Sequence, residues 1–160
     1  MRIRKVEEKD LEQIARLELS GFSEDKAASA ETFEYRIKVF PDSFFVAEEG
    51  NTIIGFINGC VSNQAYITDN LYELDGGHDQ DGWNQLIFGL VVHPEYQNLG
   101  IGGSLLNHII RAAKHKKRKR VVLTCEEELI DFYEAFGFQN NGISDSKIGG
   151  ITWYDMSIAL

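Results

Sequence analysis

Apolar residues recur along this chain at two spacings, one typical of helices and the other typical of strands. Leu11, Ile14 and Leu17 fall on one face of a helix that we predict over residues 10–19. A second helix is predicted near residues 31–39. The small, polar and acidic residues between these two helices predict a loop.

Strand patterns dominate the first half of the chain. Weak alternation predicts a first strand over residues 2–6, and stronger apolar runs predict a hairpin of strands 44–48 and 52–61. The hairpin turn is Glu49-Gly50-Asn51. An almost continuous apolar run over residues 86–92 fits a strand buried on both faces. The strands within residues 44–92 are expected to pair antiparallel.

The second half of the chain alternates helices with strands. The first predicted element is a helix that ends at about His115 and has Leu105, Leu106, Ile109 and Ile110 on its apolar face. A strand over 121–125 follows, and then a helix over 129–136 that Gly137 stops. A closing strand is predicted over 151–159. The strand, helix and strand over 86–125 imply one parallel pair. We therefore predict one α/β (α+β) domain over residues 1–160, with a mixed, mostly antiparallel twisted sheet, a central parallel pair and about four flanking helices.

Composition narrows the class of protein. The chain has 160 residues, of which 43% are hydrophobic and 26% are charged, as in water-soluble globular domains. Its start carries no apolar signal-peptide core, and no run approaches the roughly 18 apolar residues of a membrane span. We expect a cytoplasmic protein without membrane contact.

The net charge of −9 argues against general nucleic-acid binding and favours cationic partners. A basic cluster over residues 114–120 is typical of a solvated helix end whose cations complement the helix dipole. Binding of nucleic acid or of a partner is the less favoured interpretation of this cluster. Cys60 and Cys125 have neither metal-ligand spacing nor the number needed for a disulfide framework, so no metal site is predicted.

A glycine-rich turn joins the strand at 86–92 to the helix that follows it. Gly100 and Gly102 lack a Cβ, so a ligand can approach their backbone closely. Amides at a helix start have no partner within the helix, and with the helix dipole they favour an anion such as a pyrophosphate. A tight strand-to-helix turn is the alternative. A dinucleotide fingerprint fits less well because Leu105 replaces its third glycine, and a Walker loop is excluded because no Gly-Lys-Ser/Thr follows.

With its flanks, this turn resembles the acetyl-CoA-binding motif of the GNAT acetyltransferase superfamily. The motif is Gln/Arg-x-x-Gly-x-Gly/Ala after a strand that ends in Val-x-Pro, and Gln97, Gly100 and Gly102 stand at its defining positions. The order of predicted elements matches the GNAT fold over essentially the whole chain. The resemblance implies that acetyl-CoA is the co-substrate. It implies contacts to acetyl-CoA from Leu90, Val91, Val92, Gln97, Asn98, Leu99, Gly100, Ile101, Gly102, Gly103, Ser104 and Tyr133.

Further stretches resemble the arylalkylamine (serotonin) N-acetyltransferases and their bacterial relatives. These stretches are residues 31–41, with the clearest likeness at its two ends (31–33 and 40–41), and residues 55–59, 90–94, 122–126 and 132–138. This resemblance implies that an amine attacks the acetyl thioester directly, in a ternary complex. It also implies that a backbone N–H near Val91 polarises the thioester oxygen and that Tyr133 is the general acid at the CoA sulfur. Periodicity alone favours an amphipathic core tyrosine at position 133.

The sequence does not identify a general base. The animal enzymes have two histidines on the strand that enters the motif, where this chain has Leu86 and Phe88. A water chain anchored by Glu126, His78 or an acid of the 69–81 segment is one alternative, and an acceptor of low pKa is another. Glu126 also fits a helix-start acid favoured by the dipole, and His78 also fits a solvated loop residue.

Phe22 and Phe88 are predicted to contact the acceptor. Phe22 lies between the first two predicted helices, where the family's amine pocket is built, although core packing explains it equally well. Glu24, Asp25 and the acids of the 69–81 segment would attract a cationic amine if they face the cleft. Otherwise these acids are ordinary solvated loop charge.

Four other residues have structural interpretations. His93 precedes a proline in a turn, and Cys125, although it can lie near the thioester, fits a small buried hydrophobe. Trp153 and Tyr154 on the last strand fit core or rim positions better than a substrate cage.

The sequence therefore predicts an acetyl-CoA-dependent N-acetyltransferase that acts on a small primary amine, either an arylalkylamine or a polyamine. A small acceptor is preferred because the long segment over 62–82 can narrow the cleft. The alternatives are a protein N-terminal or lysine acetyltransferase, and a non-catalytic acyl-CoA-binding regulatory module, which the missing histidines suggest. A homodimer formed by pairing of terminal strands is compatible with the sequence.

Overall fold

The fold is built on one mixed β-sheet with helices on both faces. A computed structural model describes residues 1–72 and 77–160. The strands in this part of the chain are β1 (Arg2–Lys5), β2 (Phe44–Glu49), β3 (Thr52–Ser62), β4 (Asn84–Val92), β5 (Arg120–Glu126), β6 (Gln139–Ile143) and β7 (Trp153–Ala159). The α-helices are α1 (Leu11–Gly21), α2 (Ala30–Val39), α3 (Ile101–His115) and α4 (Ile130–Ala135). Within the described residues, no helix combines the length and the apolar character needed to cross a membrane.

The strands are ordered β1-β2-β3-β4-β5-β7-β6 across the sheet. The pair β4 and β5 is parallel because α3 crosses over between them, whereas the other neighbouring strands are antiparallel. This arrangement confirms the predicted mixed sheet with a central parallel pair and flanking helices.

Two layers of helices bury the two faces of the sheet. Ile14 of α1 and Phe33 of α2 pack with Phe56 of β3 in one apolar cluster. On the other face, Leu105 of α3 packs with Ile57, the neighbour of Phe56 on the same strand. All five side chains are fully buried, and burial of each contributes about 2 kcal/mol relative to exposure.

The strands β4 and β5 separate midway along their length. Their last parallel pair is Ile87 with Leu123. Beyond it, β4 stays paired with β3, and β5 stays paired with β7. The carboxyl ends of two parallel strands therefore part and leave a cleft between residues 88–92 and 124–126.

A β-bulge bends β4 at the point where the strands part. Asn58 and Gly59 are adjacent on β3 and pair with Gly89 and Ile87 on β4. Phe88, between these two partners, is therefore one extra residue on β4. Gly59 makes this close approach possible, because a Cβ there would lie 1.7 Å from the Leu86 carbonyl oxygen. The bulge changes the direction of the residues that follow it, and these residues form one wall of the cleft.

One strand of the structure is not predicted by the sequence pattern. Strand β6 consists of exposed and mostly polar residues, so it lacks apolar alternation, and pairing with β7 holds it at the sheet edge. The closing strand β7 begins at Trp153 rather than at Ile151. Two acids of the 69–81 segment, Glu73 and Asp75, lie outside the described residues.

Candidate functional site

The parted ends of β4 and β5 open into a cavity of about 640 Å³. Its walls come from the α1–α2 region, from the two separated strands, and from α4 with the segment before β7. Of the residues predicted from the sequence, the lining includes Phe22, Phe88, Leu90, Val91, Val92, Gln97, Glu126 and Tyr133.

Residues 88–92 of β4 present a free backbone edge at the cleft. Residues 89–92 pair with β3 on one side, whereas β5 has moved away on the other. In a strand paired along one edge only, alternate N–H and C=O groups remain available along the other edge. The Val91 side chain is buried in the α1–α2 layer, which holds this strand in place. Such an edge is suited to an extended ligand that contains amides.

The turn before α3 presents four backbone amides without a hydrogen-bond partner among the described residues. They belong to Gly100, Ile101, Gly102 and Gly103, at the start of the helix. Gly100 has a φ of 83°, a left-handed conformation that glycine adopts without strain. Apart from the chain neighbours of Gly100 and the backbone of the first helical turn, no heavy atom of the described residues lies within 4 Å of the position of a Cβ on Gly100, so the space beside this glycine is open. The free amides and the helix dipole together form an anion site.

Other residues of the turn have structural contacts of their own. Gln97 Nε2 donates a hydrogen bond to the Val92 carbonyl oxygen at 3.2 Å, which ties the turn to β4. Asn98 has a φ of 63° and shares the left-handed conformation of Gly100. A Cβ on Gly103 would lie 2.7 Å from Phe136 Cζ, so this glycine allows α4 to pack against α3.

Three further residues of the motif occupy different environments. Leu99 is 68% exposed, whereas Ile101, the first residue of α3, is buried in the core. The Ser104 amide donates to the Gly100 carbonyl oxygen at 3.0 Å and closes the first turn of the helix. Direct contacts of the turn residues with acetyl-CoA stay a prediction.

Tyr133 lines the cavity from α4 and is 6% exposed. Its ring packs edge-on against Phe132 and Phe138, with centroid distances of 5.0 and 5.7 Å. Burial raises the pKa of the phenol, so the hydroxyl is protonated at neutral pH. Within the described part of the chain, this hydroxyl makes no side-chain hydrogen bond. The ring is therefore held in place by its aromatic neighbours.

Cys125, on β5, also lines the cavity and belongs to the same buried cluster as Tyr133. Its Sγ contacts the Met156 Sδ at 3.3 Å in the core. Burial raises the pKa of this thiol to about 12, so it is not ionised at neutral pH. Because the thiolate is the reactive form of cysteine, Cys125 is a small core residue, as predicted, and not an activated nucleophile.

An ion pair joins two walls of the cavity. Lys26 Nζ, in the loop between α1 and α2, lies 3.0 Å from Glu126 Oε1 at the end of β5. A Cβ on Gly149 would lie 2.6 Å from Lys26 Cγ, so the segment before β7 also packs against this lysine. Glu126 thus lies at the cavity, but its carboxylate is already engaged by Lys26.

Arg36 is a cavity residue that the sequence analysis did not identify. Its side chain is 4% exposed, and it donates from Nη1 to Asn58 Oδ1 at 2.8 Å and from Nη2 to the Tyr72 carbonyl oxygen at 3.3 Å. The guanidinium carbon lies 4.4 Å from the Phe88 ring centroid. Burial lowers the pKa of Arg36 to about 10, so the group stays positively charged at neutral pH.

Glu18 is a second buried charged residue of the cavity wall, and it is 6% exposed. Its Oε2 accepts a hydrogen bond from the Ala28 amide at 2.8 Å, whereas Oε1 is buried without a partner among the described residues. Burial raises the pKa of Glu18, although the positive charge of Arg36 opposes this shift. The Glu18 carboxylate and the Arg36 guanidinium do not approach within 4.0 Å, so they do not form an ion pair.

Aromatic side chains complete the wall on the α1–α2 side. Phe22, Tyr72, Phe88 and Trp153 all line the cavity. The Tyr72 hydroxyl shares a hydrogen bond with Thr124 Oγ1 at 3.0 Å, and the Tyr72 ring lies 5.1 Å from that of Phe88. Through Tyr72, the long segment between β3 and β4 forms part of the cavity wall.

His78 and the described acids of the 69–81 segment are not among the residues that line the cavity. His78 Nδ1 accepts a hydrogen bond from the Val61 amide at 3.1 Å, and its ring stacks on Phe40 at 4.5 Å. Asp69 Oδ1 accepts a hydrogen bond from Ser146 Oγ at 2.6 Å. His78 is therefore a half-buried structural residue rather than a solvated one. The structure does not support a role for His78 or Asp69 as a proton relay or in attracting an amine.

The remaining predicted residues have defined places. His93 Nδ1 accepts a hydrogen bond from the Glu95 amide at 3.1 Å, in agreement with a structural role in the turn. Trp153 lines the cavity, and its Nε1 donates to the Ile148 carbonyl oxygen at 2.8 Å. Asp25 also lines the cavity, on the loop between α1 and α2.

Comparison with known sequences identifies related proteins. The chain matches the model of the acetyltransferase (GNAT) family over residues 9–138. It is 30% identical over 114 residues to the serotonin N-acetyltransferase of Mesocricetus auratus, a match that covers 71% of this chain and 53% of that protein. It is 31% identical over 75 residues to the uncharacterized N-acetyltransferase ycf52 of Porphyra purpurea, a match that covers 46% and 41% of the two chains. The chain thus spans about half or less of the length of these curated relatives.

The fold also occurs in solved structures. The GphF GNAT-like decarboxylase in complex with isobutyryl-CoA superposes with a TM-score of 0.86. The superposition covers 99% of both chains, with 21% sequence identity. At this level of sequence identity, the superposition shows a shared fold and no more.

Proposed function

The chain belongs to the acetyltransferase (GNAT) family, and on this basis we propose that it transfers the acetyl group of acetyl-CoA to a primary amine. One observation carries the proposal. The free edge of β4 leads through Val92 and Gln97 to the unpartnered amides before α3, and the Tyr133 phenol lines the same cavity. An anion site, an extended groove and a proton donor are what the pyrophosphate, the amide-containing arm and the thiol of CoA require.

The chemistry follows from these three features. Amides 100–103 bind the pyrophosphate, and the edge at 88–92 holds the pantetheine arm. The nitrogen of a neutral amine attacks the thioester carbonyl carbon, so that a C–N bond forms and the C–S bond breaks. A backbone amide near Val91 stabilises the charge on the carbonyl oxygen. The Tyr133 phenol donates its proton to the departing sulfur, and the amine releases a proton towards solvent.

Direct attack is favoured over a covalent acyl-enzyme intermediate. An acyl-enzyme needs an activated nucleophile next to the thioester. The thiol of Cys125, which lines the cavity, is buried, protonated and directed at Met156. The transfer therefore takes place in a ternary complex.

The acceptor we propose is a small arylalkylamine. The rings of Phe22, Tyr72 and Phe88 offer apolar surface to an aryl group. The ion pair between Lys26 and Glu126 joins two walls and leaves less room for a peptide. A polyamine fits less well, because its several positive charges would face the buried guanidinium of Arg36.

The proposal is tested with the purified chain, by titration calorimetry with acetyl-CoA and by measuring the release of CoA thiol. We expect acetyl-CoA to bind and thiol to be released with phenylethylamine or tryptamine. Mass spectrometry then identifies the N-acetylated product. Acetylation of acceptor peptides alone would support a protein acetyltransferase instead. Binding of acetyl-CoA without thiol release across amines, spermidine and peptides would support the regulatory module.

A further inference from the structure

Arg36 gives the acceptor side of the cavity a positive charge that the proposed chemistry does not use. A guanidinium carries five N–H donors, and the Arg36 contacts in the described structure are to neutral oxygens of Asn58 and Tyr72. Among residues 1–72 and 77–160, no carboxylate lies within the 4.0 Å of an ion pair with Arg36. A buried charge of this kind is unfavourable unless another group neutralises it.

The guanidinium is nevertheless held in one place. It stacks over the Phe88 ring, and Asn58, which is 1% exposed, fixes Nη1. Both of these residues also line the cavity. Packing and hydrogen bonds thus orient the charge before any ligand binds, which is a property of binding sites for small charged groups.

The position of Arg36 separates it from the predicted CoA site. Arg36 lies on α2, in the layer formed by α1 and α2. The amides at 100–103 lie at the start of α3, in the layer on the opposite face of the sheet. The pyrophosphate already has an anion site there, so the charge of Arg36 is available to another part of the reaction.

We infer that Arg36 binds a carboxylate of the acceptor, which makes the acceptor an aromatic amino acid or a similar arylalkylamine that bears a carboxylate. This inference rests on the proposed function. A planar guanidinium fork matches a carboxylate in geometry and charge. The aromatic rings next to it suit an aryl side chain.

Glu18 provides a second, independent observation. Its Oε1 is buried without a partner among the described residues, and the residue lines the same cavity as Arg36. A zwitterion offers an ammonium group to Glu18 and a carboxylate group to Arg36, and the ammonium loses one proton before its nitrogen attacks. An amine without a carboxylate would satisfy Glu18 and leave Arg36 unneutralised.

The first test uses the wild-type chain and three matched acceptors: phenylalanine, phenylalaninamide and phenylethylamine. With acetyl-CoA, we expect kcat/KM for phenylalanine to exceed that for the two acceptors without a carboxylate by about 10- to 100-fold, as for loss of a charged hydrogen-bonded pair. Equal or higher kcat/KM for phenylethylamine would overturn the inference. This test needs no variant and does not depend on how a substitution affects folding.

The second test compares Arg36→Gln with Lys38→Gln. Lys38 lies on the same helix, is 55% exposed and pairs with Glu34, so its replacement removes the same charge outside the cavity. We expect Arg36→Gln to lower kcat/KM for phenylalanine by about 10- to 100-fold and to leave the value for phenylethylamine within about threefold. Lys38→Gln should change neither value. An equal loss for both acceptors in Arg36→Gln would indicate a structural role and contradict the inference.

Two controls separate this inference from the proposed function and from another source of carboxylate. If no amine accepts an acetyl group, both the proposed function and the inference fail. If phenylethylamine is acetylated without any preference for phenylalanine, only the inference fails. If wild-type chain binds malonyl-CoA more tightly than acetyl-CoA, and Arg36→Gln does not, the carboxylate belongs to the acyl group and the inference is overturned.

Discussion

The Tyr133 side chain illustrates how a single residue combines core and cavity roles. Its ring is buried between Phe132 and Phe138, which accounts for the core position that periodicity favours. Tyr133 also lines the cavity, and burial raises the pKa of its hydroxyl and keeps it protonated. The two interpretations of this residue are therefore compatible.

Replacement of Tyr133 by Phe tests the proton-donor role. The ring and its packing remain, whereas the proton donor is lost, so we expect kcat to fall by about 100-fold and the dissociation constant of acetyl-CoA to stay near that of the wild type. Steady-state kinetics and calorimetry measure the two effects. Tyr35→Phe is the matched control, because Tyr35 packs on Phe40 outside the cavity lining. Unchanged turnover in Tyr133→Phe would remove this residue from the mechanism.

At the residue scale, motif positions were easier to identify than isolated charges. Gln97 and Tyr133 are predicted to be functional because neighbouring residues in the sequence complete a pattern. Arg36 and Glu18 belong to no motif, but each lies on the apolar face of its helix. Arg36 follows Phe33 by three residues on α2, and Glu18 follows Ile14 by four residues on α1. A charged residue on a buried stripe is therefore the feature that could have identified both.

His78 is a residue whose environment the local sequence does not indicate. Its position in a long polar segment gave no indication that its ring would stack on Phe40 or that Nδ1 would accept the Val61 amide. Contacts between residues far apart in the sequence decide its environment. Local composition describes which residues are polar and not where the chain places them.

At the scale of elements, the turn before α3 offers a test that separates ligand binding from folding. A Cβ on Gly102 would make ordinary contacts at 3.7 Å with Phe132 and Val92, so alanine fits there, and the resembled motif also allows alanine. Valine adds two further methyl groups at this packed position, on one of the residues that carry the free amides. We expect Gly102→Val to weaken acetyl-CoA binding by about tenfold or more, through loss of charged hydrogen bonds to the pyrophosphate.

Calorimetry measures this change, with Gly102→Ala as the matched control. The alanine variant should bind acetyl-CoA within about threefold of the wild type, because only a small group is added. Circular dichroism checks that both variants retain their helices. Wild-type affinity in Gly102→Val would show that the cofactor does not approach this turn.

Elements with a strong apolar period were predicted well from the sequence. The helices α1, α2 and α3 lie within a few residues of their predicted bounds because their buried faces repeat at helical spacing. Strand β6 was missed because every one of its residues is exposed. The bulge at Phe88 was also missed, since it depends on pairing with β3 and on the absence of a Cβ at Gly59.

At the scale of the whole molecule, the cavity depends on the sheet dividing at its centre. The helical layers on the two faces remain packed while β4 and β5 part, so residues from both halves of the chain meet in one space. The ion pair of Lys26 with Glu126 joins residues 100 positions apart. A pattern along the chain does not report such pairings, which explains why the walls of the site were less predictable than its glycine turn.

A buried charge cluster at the β1 edge of the sheet contributes to the stability of the fold. Asp10 is 2% exposed and accepts hydrogen bonds from Arg4 Nη1 and Nη2, each at 2.9 Å, and from the Glu7 amide at 2.8 Å. Arg4 also donates to Glu48 on β2 at 2.7 Å. The cluster thereby connects the edge strand β1 with the start of α1 and with β2.

This cluster predicts a specific dependence of stability on pH. Burial alone would raise the pKa of Asp10, but the hydrogen bonds from Arg4 and the Glu7 amide outweigh it and lower that pKa below its ordinary value. A carboxylate with a lowered folded-state pKa stabilises the fold above its unfolded pKa of about 3.9, and this contribution disappears as the pH falls through the folded-state value. Asp10→Asn should therefore reduce the free energy of unfolding by about 2 kcal/mol at pH 7.

Urea denaturation at pH 7, 5, 4 and 3 measures the difference between wild type and Asp10→Asn. We expect the difference to be largest at pH 7 and to shrink as Asp10 becomes protonated in the wild type. Glu12→Gln is the matched control: it removes a carboxylate that pairs with Arg16 on the exposed face of α1, where both side chains are more than 70% exposed, so little change is expected at any pH. A difference that stays constant from pH 7 to pH 3 would show that Asp10 acts through its shape and not through its charge.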